Sequence, residues 1–312
     1  DGRATYFEAV NRNKRSLPLD MSTSVGIAAA HELAAAADIV IHNFPPHTAA
    51  KFGLDYPSVR ADNPSVIHCS ITGFGSGAGA QMPGYDLLVQ AMGGLMSVTG
   101  PGPGHPTKVG VALVDVITGL HACVGVLAAL RHRERTGEGQ AVEVNLLSSL
   151  LSALVNQASG YVSGGFVPDI MGNAHPSISP YELYDASDRP LVVAVGNDAQ
   201  FTKLCEVLGL PDLPSDERFA TNPQRVAHRD RLKALLSPAF ASGTADHWWQ
   251  ALTAAGVPSG PINTVDQAFH LAETLGLEPI VAIDADGHTR RQVANPITLH
   301  GTAHCISTCT LS

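Results

Sequence analysis

One carboxylate, Asp115, lies in the stretch Lys108-Val-Gly-Val-Ala-Leu-Val-Asp115-Val-Ile-Thr-Gly119, whose neighbours are almost all apolar. An ionised carboxylate set among apolar groups without a partner is costly, so its presence calls for a structural or a chemical reason. Two structural reasons fit the local pattern. Asp115 is a candidate helix N-cap, because aspartate favours the position just before an apolar periodic run. It is equally a candidate for one half of a buried ion pair. The chemical reason is reactivity: a carboxylate in dry surroundings is a nucleophile or a proton carrier of shifted strength.

The other groups capable of chemistry are dispersed. Among the 14 histidines, none falls at metal-ligand spacing; His105 and His175 lie in Gly/Pro-rich loops, where function concentrates. His132, among arginines, reads as a surface residue. The cysteines are Cys69, Cys123, Cys205, Cys305 and Cys309, an odd number without zinc-finger spacing. Cys69 and Cys123 fall in apolar segments typical of buried thiols. The reading is a reduced, cytoplasmic protein without a metal. No Gly-x-Gly-x-x-Gly follows a strand, and neither a phosphate loop nor a Gly-x-Ser-x-Gly elbow is present.

Composition narrows the classes further. The chain has 312 residues, enough for a large core and usually two domains. Hydrophobic residues make up 45% and charged residues 15%, as in a well-buried globular protein. A net charge of −9 argues against nucleic acid as a partner, which needs a clustered basic surface. No uninterrupted apolar run of about 18 residues is found, so no membrane span is expected. The opening Asp-Gly-Arg-Ala-Thr-Tyr carries no signal-peptide pattern.

The elements that must position these groups alternate. Ser24–Ala37 has helical periodicity, and Asp38–His42 reads as a strand. A short helix over Leu54–Ala61 precedes a strand over Ser65–Ile71. Such βα alternation indicates an open, mostly parallel sheet flanked by helices. Ligands of such sheets bind beyond the carboxyl ends of the strands, here the loops Asn43-Phe-Pro-Pro46 and Thr72-Gly-Phe-Gly-Ser-Gly77. Helices are expected over Asp86–Met96, Val116–Arg135 and Leu146–Val162, with a strand over Gln140–Val144. The first half of the Val116 helix is so apolar that burial is expected. Beyond Gly164-Gly165 the composition shifts to a loop, a strand at Leu191–Val195, a helix over Ala199–Leu208 and more polar helices. Ile280–Val293 reads as a hairpin turning at Asp286-Gly287. The division is a large α/β domain over 1–165, a smaller α+β domain over 166–265, and a linker with partial return over 266–312.

Taken in order, several segments resemble landmarks of the class III CoA-transferase family, which includes formyl-CoA transferase and the carnitine and bile-acid CoA-transferases. They are Asn11-Arg-Asn-Lys-Arg-Ser16 with Leu19-Asp20, Asn43-Phe44, Pro83-Gly-Tyr-Asp86, Gly93-Gly-Leu-Met-Ser-Val-Thr-Gly100 and Val109-Gly-Val-Ala-Leu-Val-Asp115. Thr136-Gly-Glu-Gly-Gln140, Gly172-Asn-Ala-His-Pro176 and Gly260-Pro-Ile-Asn263 continue the series. Relative to the family pattern, the N-terminal strand–helix unit and the end of the C-terminal return are missing.

The resemblance implies a Rossmann-like large domain, an interlocked homodimer, and coenzyme A as the acyl-CoA substrate, with a small carboxylic acid as the second substrate. It implies no metal, membrane or nucleic acid. Asp115 matches the family's catalytic aspartate, which attacks the thioester to give an aspartyl-acyl anhydride and then an aspartyl-CoA thioester. Asn43, Phe44 and Lys51 match CoA-binding positions; Lys51 stands where formyl-CoA transferase has arginine. Lys14 and Arg15 are candidates for the CoA phosphates. Tyr85 matches a residue lining the acyl pocket, and Gly172, Asn173 and His175 fall in a loop that covers the reacting centre. The α-methylacyl-CoA racemases share the fold and place a histidine base where Tyr85 stands. Tyrosine, with an ordinary pKa near about 10, is a poor base for that step. A racemase-like isomerase and a non-catalytic CoA-binding remnant are the alternatives to a transferase.

Overall fold

A computed structural model describes residues 4–285, 288–301 and 310–311. The first part runs α1 (Thr5–Val10), β1 (Arg15–Ser16), α2 (Ser24–Ala36), β2 (Ile39–His42), α3 (Pro46–Lys51), α4 (Tyr56–Asp62) and β3 (Ile67–Thr72). It continues through α5 (Asp86–Met92), α6 (Leu113–Thr136), β4 (Gln140–Asn145), α7 (Leu146–Ala153) and α8 (Val155–Gly164). Then follow β5 (Tyr181–Asp185), β6 (Pro190–Ala194), α9 (Asp198–Val207), α10 (Asn222–Ala227), α11 (Arg229–Ala241), α12 (Ala245–Ala254) and β7 (Ser259–Pro261). The last elements are α13 (Val265–Thr274), β8 (Ile280–Ala285), β9 (His288–Val293) and β10 (Thr310–Leu311).

Strands β2, β3 and β4 form a parallel sheet in that order, with Ile39 opposite Ile67 and Ile67 opposite Gln140. Alternation along β3 divides its side chains between two faces. Ile67, Cys69 and Ile71 pack with Ala122, Val126 and Ala129 of α6. His68 and Ser70 line a cavity on the other face, together with residues of α3 and the start of α4. The expected βα alternation and parallel sheet are therefore present. A second sheet, β5-β6-β7, is antiparallel. It packs with α9, α11 and α12 around Leu191, Val193, Phe201, Leu232, Phe240 and Trp248.

Several sequence expectations need correction. Helix α6 begins at Leu113 rather than Val116, and α5 stops at Met92 rather than Met96. The single helix expected over Leu146–Val162 is two, broken where Val155 adopts a φ of 40°. The apolar half of α6 is not wholly buried: Val114, Thr118, Ala122, Val126 and Ala129 face inward, whereas Val116, Leu120, Val124 and Leu127 are exposed. Cys123 lies exposed on the same helix, while Cys69 is buried as expected. By length and mean hydropathy α6 is also long and apolar enough to cross a membrane, although no uninterrupted apolar run marks it. Its inner face instead lies on β3 and β4. Strands β8 and β9 form the expected antiparallel hairpin; its turn at Asp286-Gly287 lies outside the described residues, as do Cys305 and Cys309. Near the C-terminus, β10 pairs in parallel with β1, Arg15 opposite Thr310.

Candidate active site

The carboxyl ends of β2 and β3 open onto a cavity of about 640 Å³. Its walls are Asn43 and Phe44 after β2, Thr72 and Gly73 at the end of β3, the loop ending in Tyr85, and the first turns of α6 with Asp115. That is the place where an open parallel sheet offers its ligand site. The loops after β3 come together because Gly73 and Gly84 touch through their backbones. A Cβ on Gly84 would stand 2.5 Å from the Cα of Gly73, which only glycine avoids. Tyr85 follows directly, as the residue before α5, and is 73% exposed.

Asp115 is the third residue of α6, and Ala112 occupies the N-cap position, so the N-cap reading is wrong. Among the described residues its carboxylate forms no ion pair, so the buried-pair reading fails as well. The cap comes from elsewhere. Asp86, at the start of α5, accepts hydrogen bonds on Oδ1 from the backbone N–H of Val114 at 2.8 Å and of Asp115 at 3.3 Å. Its Oδ2 accepts from Gln90 Nε2 at 2.6 Å, and Gln90 Oε1 in turn accepts from Val109 N–H at 2.9 Å. The free N–H groups that begin a helix are thus partly satisfied by a second carboxylate.

Desolvation raises the Asp115 pKa above its ordinary value, and the charge on Asp86 raises it further. The N–H groups that begin α6 bond to Asp86, while Asp115, in the first turn of the same helix, receives its field but no such hydrogen bond among the described residues. Asp115 is left as the less stabilised of two neighbouring carboxylates, which is the condition for an anion of enhanced reactivity. Replacing Asp86 by alanine is expected to bring the Asp115 pKa down toward its ordinary value, read by NMR titration of the Asp115 carboxyl carbon. The same change costs about 1 kcal/mol of stability, as for other lost caps.

The structure brings Asp115, Asn43, Phe44 and Tyr85 to one cavity. It does not bring the remaining candidates to those walls. Lys51 ends α3 with its Nζ 5.8 Å from the ring centre of Phe52. Lys14 donates to Asn11 Oδ1 at 3.1 Å, and Arg15 belongs to β1. Gly172 turns against Pro101, with a φ of 61°. Asn173 is in the same turn, and the ring of His175 packs on Tyr181 at 5.1 Å. The backbone after that turn is held: Arg229 donates to the carbonyls of His175 and Pro176, and Asn222 to that of Ser177. Sequence reasoning missed Asp86 as the cap of α6, and also His47 and Gln81, which line the cavity 3.3 Å apart. Asp86 stood within a quoted landmark, but nothing in local spacing links it to a helix 29 residues away.

The sequence profile described as CoA-transferase family III matches residues 1–308. The chain is 44% identical over 267 residues to the succinate–glutarate CoA-transferase of Agrobacterium fabrum, covering 85% of this chain and 67% of that one. It is 39% identical to the succinyl-CoA:glutarate CoA-transferase of Mus musculus, covering 87% of this chain and 63% of the mouse protein. This sequence therefore spans about two thirds of the length of those relatives. A crystal structure of a CAIB/BAIF family protein from Brucella suis superimposes with a TM-score of 0.86 at 41% identity, covering 99% of this chain and 81% of that one. The mixed α/β fold with its parallel sheet is that of these structures, and the chain belongs to CoA-transferase family III.

Proposed function

We propose that the protein moves CoA from an acyl-CoA donor to a small carboxylic acid, with Asp115 as the nucleophile. The observation that carries this reading is the placement of Asp115: a carboxylate of raised pKa on the wall of the strand-end cavity, beside Asn43, Phe44 and Tyr85. In the first step an Asp115 oxygen attacks the thioester carbonyl, forming an aspartyl-acyl anhydride and releasing CoA as thiolate. The thiolate then attacks the aspartyl carbonyl, giving aspartyl-CoA and the free donor acid. The incoming carboxylate attacks that thioester, and the thiolate returns to the acyl carbonyl of the new anhydride, regenerating Asp115. The glycines around the cavity let backbone N–H groups approach the oxyanions.

The acids named for the relatives support short dicarboxylates as the acids to try first. Among the described residues, the cavity lining contains neither lysine nor arginine. Asn43, His47, Gln81 and Tyr85 are among the polar groups available to a carboxylate there, and Lys51, Lys14 and Arg15 are assigned to the phosphate end of CoA. Gly172, Asn173 and His175 remain the proposed cover of the reacting centre. We read residues 1–165 as a Rossmann-like CoA domain, 166–265 as the smaller domain and 266–312 as the return. The exposed apolar stripe on α6 is a face that a second copy would cover in the interlocked homodimer we propose, and a cytoplasmic setting is part of the same proposal.

The test is to mix the protein with succinyl-CoA, quench with hydroxylamine or borohydride, and analyse the peptides by mass spectrometry. A hydroxamate or a reduced side chain at Asp115 is expected. Exchange that proceeds with Asp115 unmodified, or with the adduct on another residue, would overturn the mechanism.

A further inference from the structure

A second cavity, of about 250 Å³, lies behind the first and shares Phe44, Pro46, Thr72 and Gly75 with it as a common wall. His42, the last residue of β2, stands at this wall. Its Nδ1 accepts the backbone N–H of Phe44 at 3.2 Å. Its ring also stacks on that of Phe44, with centres 5.6 Å apart and planes inclined by 23°. The imidazole therefore grips Phe44 twice, by backbone and by ring.

The surroundings of His42 define its protonation. An Nδ1 that accepts is unprotonated, so the neutral ring carries its proton on Nε2. Nε2 is buried without a partner, and so is Oδ1 of Asp55. The groups facing the ring are His68 from β3, Asp55 and Tyr56 from the start of α4, and Glu143 from β4. His68 meets the His42 ring edge-on at 5.0 Å and is itself fixed 2.9 Å from the carbonyl of Leu54. Burial, and then His68, lower the pKa of His42, against an opposing pull from Asp55. The ring is thus neutral at neutral pH.

We propose that His42 is a positioning residue whose neutral imidazole holds the Asn43–Phe44 wall of the Asp115 cavity, and that its protonation releases that wall. A proton on Nδ1 turns the acceptor into a donor facing the Phe44 N–H, so the hydrogen bond is lost. The resulting cation is drawn toward the unpartnered oxygen of Asp55 and away from Phe44. CoA affinity then falls with acidity even where Asp115 plays no part in binding. This inference rests on the reading that acyl-CoA occupies the Asp115 cavity.

The experiment compares the parent with His42→Asn and His42→Gln, using CoA itself as the probe and calorimetry as the readout. The amide oxygen of the shorter side chain falls near the place of Nδ1 and still accepts from Phe44; that of the longer one falls near Nε2 and does not. At about pH 8, where the ring is neutral, both variants lack the ring stacking and bind CoA more weakly than the parent. His42→Gln binds CoA about three- to tenfold more weakly than His42→Asn, the effect of one lost hydrogen bond. As pH falls below the ordinary imidazole range and the ring takes up its second proton, the parent loses affinity relative to His42→Asn. The phosphate of CoA titrates in the same range, but it does so for both proteins and cancels in their ratio. His42→Gln binding as tightly as His42→Asn, or a parent-to-His42→Asn ratio independent of pH, overturns the proposal. If His42→Gln fails to fold, that ratio decides alone. A parent that binds no CoA at about pH 8 refutes the functional reading beneath it, whereas CoA binding without the His42 effects refutes this inference only.

Discussion

Asp115→Asn is expected to abolish CoA exchange, by at least about a thousandfold in kcat, and yet to raise the melting temperature at neutral pH. The first effect follows from chemistry. An amide oxygen does not attack a thioester at a useful rate, and among the described residues no other carboxylate lines the cavity; Asp86 is engaged with the start of α6 and with Gln90. The second effect follows from linkage. Asp115 holds its proton more tightly in the folded protein than at its ordinary value of 3.8. The native state therefore binds more protons than the unfolded chain in the interval above 3.8. Stability falls as pH rises through that interval and stays reduced beyond it. Asparagine carries no such charge. The gain in melting temperature should be present at neutral pH and vanish when both proteins are compared near about pH 3, where the carboxyl is protonated in either state. Since Asp115 reaches solvent, the gain is modest. A variant that exchanges CoA as fast as the parent removes Asp115 from the mechanism. A variant that melts lower at neutral pH removes the argument that function holds this carboxylate in an unfavourable place.

The parts of the site that could be read from the sequence are those carried by contiguous residues. Asp115 in its apolar stretch, Asn43-Phe44 after a strand and Tyr85 after a Pro-Gly turn were all legible, and they do share one cavity. What escaped was the relation between segments. The cap of α6 is supplied by Asp86, and no periodicity announces that a carboxylate on one helix serves the N–H groups of another. The burial of α6 was misread for a related reason. Periodicity reveals a buried face only when the opposite face is polar. Here Val116, Leu120, Val124 and Leu127 line the outer face, while Val114, Ala122 and Val126 line the inner one. Apolarity all round predicts burial all round, and Cys123 was misplaced by the same inference. The sheet was easier, because short strand patterns such as Ser65–Ile71 alternate with helical stretches along the chain, and that order indicates parallel pairing. The expected helix over Leu146–Val162 failed at a single backbone conformation: Val155 is left-handed, which a β-branched residue signals in no way.

The largest expected loss of stability comes from Arg225, a residue that composition and motif leave unremarked. Its side chain is fully buried, at 0% exposure, against the ring of Phe201. Nε donates to the carbonyl of Ser179 at 2.8 Å, Nη1 to that of Phe219 at 2.9 Å, and Nη2 to Asp198 Oδ1 at 2.7 Å. Three separate segments thus meet on one guanidinium, whose planar fork reaches all of them at once. Arg225→Leu fills much of the volume but leaves the acceptors of Ser179 and Phe219 without those donors. The expected cost is about 2–5 kcal/mol, from two buried carbonyls left without a donor at about 1–3 kcal/mol each, since Asp198 itself is exposed and keeps its charge solvated. It is measured as a lower urea midpoint. Arg225→Lys restores a charge but serves fewer acceptors and should fall between the two. The consequence extends beyond stability. Asn222 and Arg229 hold Ser177, His175 and Pro176 from the same helical stretch, and Arg225 completes that clamp at Ser179. With Arg225 gone, cleavage by a protease in the 172–180 segment is expected to accelerate before global unfolding does. A variant whose urea midpoint and cleavage rate both equal the parent's would show that this buried guanidinium contributes nothing net and that the segment is held by Asn222 and Arg229 alone.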